Sequence, residues 1–323
     1  MRYILIVNSR SPAKNLEALD DAINLIARKD PDLRARIEIR YTEYGGHASE
    51  IAVEASESFG DKVAIVACGG DGTIHEVANA LAFRKTPMIC LPFGTGNDFV
   101  RSFMPRRHSK TIEELLQNLD SVKLKPIDLV RVDSYDIMGT HLQNWSGYFN
   151  NVASVGLDTK VQAAAKEEVL TKKKGSTKNA YRKAAVKAVF GNRNSKFSYS
   201  LELENGETYE SDSEDHTLIS ICNGKYYGSG YCPAPEASLT DGVVDVCVIE
   251  DVNLPRALSL LLSYKHGRHV GRRGVKTFRA TSGIITCKDS SLQLEGNYDG
   301  EDFFGHRIRF EVYPRALTLA FFE

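Results

Sequence analysis

The sequence predicts an α/β domain built on a parallel sheet, followed by a second domain rich in β-strands. Three observations carry this. Through about the first 130 residues, wholly apolar runs of strand length alternate with stretches of helical spacing, the pattern of a parallel sheet covered on both faces. From about Leu129 onward, runs that alternate apolar and polar residues dominate, as antiparallel strands do. Two glycine-rich loops each follow an apolar strand and open a helix. That is where such sheets bind ligands, at the carboxyl ends of their strands.

In chain order, residues 3–7 read as a buried strand, and 13–29 as a helix with Leu16, Leu19, Ile23 and Ile26 on one face. Residues 37–41 form a second strand, 48–59 an Ala- and Glu-rich helix, and 63–67 a third, wholly apolar strand. A helix over 73–82 and a strand over 88–91 complete the first domain. In the second domain, 148–154, 197–203, 218–222, 243–249, 283–287 and 308–312 read as strands. One helical stretch spans 160–190 and another 254–264.

Composition bounds the function. Hydrophobic residues are 42% and charged residues 26% of the 323, which excludes long-range disorder. The 41 Lys and Arg against 42 Asp and Glu leave the chain nearly neutral, so bulk charge predicts no nucleic-acid partner. No apolar run reaches the roughly 20 residues needed to cross a bilayer. The opening Arg2-Tyr3-Ile4-Leu5-Ile6-Val7 run turns polar at Asn8-Ser9-Arg10, which predicts a strand rather than a signal peptide. Cys68, Cys90, Cys222, Cys232, Cys247 and Cys287 are scattered without a C-x-x-C pair. That argues against a zinc site or disulfide framework and fits a cytoplasmic protein.

Two stretches are locally basic. The first, 166–196, holds Lys172-Lys173-Lys174, Lys178, Arg182, Lys183, Lys187, Arg193 and Lys196; the second runs from Lys265 through Arg268, Arg272 and Arg273 to Arg279. Either alone reads equally as solvated surface. Two in one domain of a neutral protein favour an anionic membrane surface, engaged peripherally.

The chemistry is concentrated in the glycine loops. Cys68-Gly69-Gly70-Asp71-Gly72-Thr73 follows one apolar strand, and Leu91-Pro92-Phe93-Gly94-Thr95-Gly96-Asn97-Asp98 follows the next. Glycines let the backbone approach a phosphate, and the helix that follows presents free N–H groups and a positive dipole end. Asp71 would repel phosphate unless Mg2+ stood between them, so it reads as a metal- or water-linked residue, or else as a turn former. Two such loops at consecutive strand ends face one crevice and predict a nucleotide-phosphate site. Neither is a Walker A loop or a dinucleotide fingerprint.

At these residues the chain resembles the diacylglycerol kinase catalytic family, which includes bacterial diacylglycerol kinases and the sphingosine and ceramide kinases. Gly69-Gly70-Asp71-Gly72-Thr73 with Asn79, and Pro92-x-Gly94-Thr95-Gly96-Asn97-Asp98-Phe99, carry the resemblance. Thr42 with Gly46-His47-Ala48 looks like the family's nucleotide-contact segment, and Ile127-Asp128-Leu129 like the acidic segment at the domain junction. Asn223-Gly224-x-Tyr226-Tyr227-Gly228-x-Gly230, Ala234-Pro235-Glu236-Ala237, Leu239-Thr240-Asp241-Gly242 and Asp299-Gly300-Glu301 look like its second-domain signature. The resemblance covers nearly the whole chain.

It implies a first domain of phosphofructokinase or NAD-kinase type over 1–128 with 313–323, binding ATP through Asn8, Thr42, Gly69, Gly70, Asp71, Gly72, Thr73, Gly94, Thr95 and Asn97. It implies a β-sandwich over 129–312, with lipid bound between the domains. Asp71, Asp98 and Asp128 would serve a catalytic Mg2+, and Asp241 a second, structural one. Asp299 would be the general base toward the lipid hydroxyl, with Glu301 nearby; on residue type alone, Asp299 is the turn residue of a Tyr-Asp-Gly hairpin. The family also suggests a homodimer. The chain departs from the family at Asn8-Ser9-Arg10-Ser11-Pro12, where the usual loop is Asn-Pro followed by small residues and Gly. Before Asp299 it reads Glu295-Gly296-Asn297-Tyr298 rather than apolar, which makes Glu295 a minor competitor for the base. His75 is expected on the helix surface near the nucleotide, and Trp145 and Phe103 in packing.

The expected activity is transfer of the ATP γ-phosphate to a lipid hydroxyl, foremost that of diacylglycerol. Two rivals come from other classes. A soluble-metabolite kinase shares the Gly-Gly-Asp-Gly loop, but not the Gly94-Thr95-Gly96-Asn97-Asp98 loop with Asp299-Gly300-Glu301. A silent lipid- or nucleotide-binding protein is hinted at only by the altered Asn8 loop.

Overall fold

The computed structural model describes residues 1–104, 111–171, 177–191 and 194–322, with side chains outside 166–171 and 177–181. Contacts divide the chain into two compact units, Met1–Asp128 with Arg315–Glu323, and Leu129–Pro314. Tyr313 and Pro314, assigned from sequence to the first domain, group with the second.

The first unit is a parallel sheet flanked by helices. Its strands are β1 (Arg2–Asn8), β2 (Ile37–Thr42), β3 (Val63–Gly69) and β4 (Met88–Pro92), and its helices α1 (Ala13–Lys29), α2 (Pro31–Ala35), α3 (His47–Phe59), α4 (Asp71–Leu81), α5 (Asp98–Phe103) and α6 (Ile112–Gln117). The order is β4–β3–β1–β2, all parallel. Every residue of β3 is buried, as a strand covered on both faces requires. The chain's last strand returns here, pairing Leu319 with Met88. The carboxyl ends of β1, β3 and β4 are sheet neighbours, so the loops leaving them share one edge.

The second unit is antiparallel and β-sandwich-like. It holds β5 (Lys123–Tyr135, entering from the first unit), β6 (Gly147–Phe149), β7 (Val152–Gly156), α7 (Leu157–Thr171), α8 (Thr177–Phe190), β8 (Ser195–Leu203), β9 (Thr208–Glu210), β10 (Asp215–Cys222) and β11 (Val244–Glu250). Then follow α9 (Leu254–Tyr264), β12 (Val275–Cys287), β13 (Leu294–Tyr298), β14 (Glu301–Gly305) and β15 (Arg307–Phe321, leaving toward the first unit). The main path runs β14–β13–β7–β10–β11–β12–β15, with β8 joining β10 and β12. Its core packs Phe149, Phe197, Tyr199, Phe303 and Phe310.

Three expectations need correction. The helical stretch over 160–190 is two helices, α7 and α8. The strand over 148–154 is broken at Asn150-Asn151, because the N–H groups of both are taken by the Asp299 carboxylate instead of a neighbouring strand. His75 is only 7% exposed: it lies on the inward face of α4. All six cysteines are free and buried. No helix among the described residues is long and apolar enough to cross a membrane.

Candidate active site

In the first unit, the two glycine loops meet backbone to backbone. A Cβ on Gly94 would stand 2.5 Å from the Gly70 Cα and 2.7 Å from Asn97 Oδ1, and a Cβ on Gly69 would overlap the Thr73 side chain. The Phe93 N–H donates to the Gly69 carbonyl at 2.9 Å, tying the second loop to the end of β3. Asn97 is left-handed (φ 52°). Its side chain closes its own loop, accepting from the Gly94 N–H at 2.9 Å and donating to the Gly94 carbonyl at 2.8 Å. Thr95 is exposed. A Cβ on Gly72, at the first turn of α4, would meet nothing within 4 Å.

Beside these loops lies a polar cleft lined by Asn8, Arg10, Thr42, Tyr44, Thr73 and Glu76, among others. Asn8 organises it: Nδ2 donates to Thr73 Oγ1 at 3.1 Å, and Oδ1 accepts from the Arg10 N–H at 2.9 Å. Ser9 Oγ donates to the Thr42 carbonyl at 2.6 Å. The altered first loop therefore keeps its asparagine in a structural post and turns Arg10, which the sequence reading did not single out, to the cleft. His47 stacks on Tyr44 at 4.6 Å and accepts from the Glu43 N–H through Nδ1 at 3.1 Å.

The acidic residues divide. Asp71 Oδ1 accepts from the Phe99 N–H at 3.2 Å. Asp71 Oδ2 and Asp98 Oδ2 both face Gly96, at 2.8 and 3.7 Å from where its Cβ would stand. Asp98 is 5% exposed and pairs through Oδ1 with Arg101 at 2.9 Å. Two carboxylate oxygens converging beside the glycine loops fit Mg2+, which in kinases takes one or two carboxylates plus phosphate oxygens. Asp128 is 1% exposed and accepts through Oδ1 from the Arg315 N–H at 2.8 Å, fixing the returning chain. Among the described residues no three His, Cys, Asp or Glu side chains form a metal cluster.

In the second unit, Asp299 sits at the turn of the β13–β14 hairpin with φ 50°, followed by Gly300 at φ 102°. Its carboxylate accepts from the N–H groups of Asn150 (2.8 Å), Asn151 (3.3 Å) and Val152 (3.0 Å). Asn223 Nδ2 donates to the Asn150 carbonyl at 2.9 Å, and Asn151 Nδ2 to the Tyr226 carbonyl at 2.8 Å. The Asn-Asn break is thus held from both sides, a role for Asn150, Asn151 and Asn223 that sequence reasoning missed. Glu301 and Glu295 are exposed. Gly296, the departure before Asp299, is explained by the Phe303 ring, which occupies the space a Cβ would need. Asp241 accepts from Arg279 through Oδ2 at 2.9 Å. Trp145 packs edge-on against Phe304, and Phe103 against Phe99 and Phe321.

The second unit also contains a narrow apolar cleft walled by Val161, Val189, Leu218, Ile249, Leu260 and Leu261. One wall is polar: Tyr227 donates to Asp158 Oδ2, Tyr227 and Tyr264 hydroxyls lie 3.3 Å apart, and Ser220 and Tyr264 share a hydrogen at 2.8 Å. Burial raises the Asp158 carboxyl from 3.8 to about 6, against the lowering effect of Tyr227 and Ser220. An acid raised on folding is held protonated by the folded state. Its contribution is complete below the unfolded value and is lost as pH rises through the folded one. Between about pH 5 and about pH 8, wild type should lose on the order of 1–2 kcal/mol that Asp158→Asn does not lose. Denaturant unfolding of both at the two pH values measures it; parallel declines would remove Asp158 as the cause.

Paired glycine loops on a parallel α/β unit, followed by a β-sandwich-like unit with an apolar cleft, match the plan of a kinase. Residues 2–132 match the diacylglycerol kinase catalytic domain, and residues 151–321 the YegS C-terminal NAD kinase beta sandwich-like domain. The chain is 27% identical over 331 residues to a Serratia proteamaculans protein named "Probable lipid kinase YegS-like", covering 97% of this chain and 92% of that one. It is 28% identical over 288 residues to a Pseudomonas aeruginosa protein of the same name, covering 88% and 84%. Its fold matches a crystal structure described as a diacylglycerol kinase from Bacillus anthracis (TM-score 0.65, 17% identity, 99% and 97% covered). Yeast NADH kinase shares the fold more distantly (TM-score 0.51, 10% identity, 99% and 82% covered). The chain belongs to the diacylglycerol-kinase-like, YegS-like lipid kinase family.

Proposed function

We propose that this protein transfers the γ-phosphoryl group of ATP to the hydroxyl of a membrane lipid, diacylglycerol foremost, giving phosphatidic acid and ADP. The observation that carries the lipid reading over a soluble-metabolite kinase is the apolar cleft of the second unit. Walls of Val, Leu and Ile give an acyl chain apolar surface to bury along its length, and place no charged side chain other than Asp158 for a sugar phosphate.

The glycine loops cradle the nucleotide phosphates through backbone N–H groups, and Asn8, Thr42 and Thr73 shape the polar cleft beside them. Arg10 supplies a positive charge at that cleft. Asp71 and Asp98 would hold Mg2+, which when bound neutralises charge on the phosphate oxygens. Asp299 orients the lipid hydroxyl and accepts its proton as the new O–P bond forms and the bond to ADP breaks. Its three backbone hydrogen bonds fix the carboxylate rather than make it strongly basic, which suits a loose transition state in which positioning matters most. Glu301, on the same hairpin, lies beside this step.

Leu261→Trp tests the cleft. Filling it should raise the KM for long-chain diacylglycerol at least about tenfold while ATP affinity is unchanged. An unchanged KM on long-chain acceptor would remove the cleft from the lipid site.

A further inference from the structure

We propose that Gln162 hydrogen-bonds the acyl linkage of the lipid, the ester or amide at the head of its chain, inside the apolar cleft. The inference rests on the lipid-kinase reading above and deepens it by naming the part of the acceptor that the cleft recognises.

Gln162 lies on α7 and lines the cleft. It is 8% exposed, and no group among the described residues donates to its Oε1. Burying an amide without a partner costs free energy, and buried side-chain polar atoms in folded proteins mostly have one. Most of the cleft offers none, being walled by Val161, Val189, Leu218, Ile249, Leu260 and Leu261. The hydroxyls of Tyr227, Tyr264 and Thr217 are engaged elsewhere. Tyr227 donates to Asp158 Oδ2, Tyr264 and Ser220 share a hydrogen at 2.8 Å, and Thr217 donates to the Glu250 carbonyl at 2.9 Å.

The position of Gln162 favours the linkage over the rest of the lipid. Asp158 and Gln162 are four residues apart on α7, hence on one face, a turn apart. Asp158 belongs to the polar wall through Tyr227. The preceding carbonyl, that of Tyr226, accepts from Asn151 Nδ2 at 2.8 Å, and the Asn151 N–H donates to the Asp299 carboxylate at 3.3 Å. Chain and hydrogen bonds thus connect the proposed base to the stretch of α7 that carries Gln162. A lipid whose hydroxyl meets Asp299 and whose chain fills the cleft brings its linkage to this polar wall and its methylenes to the apolar ones. A side-chain amide serves either linkage: its NH₂ donates to an ester carbonyl, and after a half-turn its oxygen accepts from an amide N–H. A methylene in place of the carbonyl leaves it unpaired. Beyond this turn, Lys166, Lys172, Lys173, Lys174, Lys178 and Arg193, counted in the basic stretch from sequence, fall outside the described residues or side chains.

The test compares dioctanoylglycerol with its dioctyl ether, in which each ester carbonyl is a methylene, using the full chain. Calorimetric titration without ATP reads binding, and phosphate transfer from ATP with Mg2+ reads turnover. Wild type should bind the ester about tenfold more tightly than the ether, with a KM about tenfold lower. Gln162→Met keeps the length of the side chain and removes the amide. It should weaken ester binding about tenfold, leave ether binding and the KM for ATP unchanged, and melt no lower than wild type. Equal affinity of wild type for the two lipids, or affinity for neither, overturns the proposal. So does a Gln162→Met protein that keeps the ester preference, or one that loses affinity for both lipids alike, as a structural role would produce. A more stable variant with both affinities unchanged would assign the amide to a buried water and equally overturn it. An ester preference in binding, lost in Gln162→Met, with no turnover of either lipid would support the contact and count against the kinase reading alone.

Discussion

Asp299→Asn is expected to lower kcat by about 10²- to 10⁴-fold, the range for loss of a positioned general base. The same change weakens the fold locally. The carboxylate accepts three backbone N–H groups, from Asn150, Asn151 and Val152, and an amide presents only one acceptor oxygen with an N–H₂ facing a donor. The cost should be about 1–3 kcal/mol. The two effects separate experimentally. Turnover at saturating lipid and ATP reports the chemistry, and denaturant unfolding reports the clamp. A variant that loses stability but keeps kcat would leave Asp299 as a structural residue of the hairpin, which was the plain reading of Tyr-Asp-Gly.

The second large effect is expected at the glycine loops, where two substitutions diverge. Gly94→Ala places a Cβ 2.5 Å from the Gly70 backbone, so the loops must part. Stability should fall by about 1–3 kcal/mol, and ATP affinity should fall about a hundredfold, as a cradle displaced by an ångström loses its geometry. Gly72→Ala meets nothing in the protein. Alanine is the better helix former there, so stability should hold or rise by up to about 1 kcal/mol. If phosphate oxygens rest on that backbone, ATP affinity should nevertheless fall more than about tenfold. Calorimetric ATP titration beside thermal unfolding checks both. Normal ATP binding by Gly72→Ala would place the phosphates away from the first loop.

The glycine loops were legible because their signal is local: strand, glycines and helix start lie within a few residues of one another. The parallel sheet was legible for the same reason, since β3 is apolar throughout. What the sequence hid depends on distant partners. The break at Asn150-Asn151 exists because a carboxylate 149 residues further on takes its N–H groups. The polar wall of the cleft joins Asp158, Ser220, Tyr227 and Tyr264, residues that share no motif. His75 was misplaced to the surface because helical spacing does not say how deeply a short helix is covered. Asp128 and Asp241 were read as metal ligands from family resemblance; the partners that sequence does not show are the Arg315 N–H for the one and Arg279 for the other.

The most direct measurement is transfer of labelled phosphate from ATP, with Mg2+, to a panel of acceptors in mixed micelles: diacylglycerol, monoacylglycerol, ceramide and sphingosine, with NAD⁺ as the soluble control. Labelled phosphatidic acid, formed with diacylglycerol and formed about 10²- to 10⁴-fold more slowly by Asp299→Asn, is the predicted result. Phosphorylation of NAD⁺ with no lipid product would contradict it.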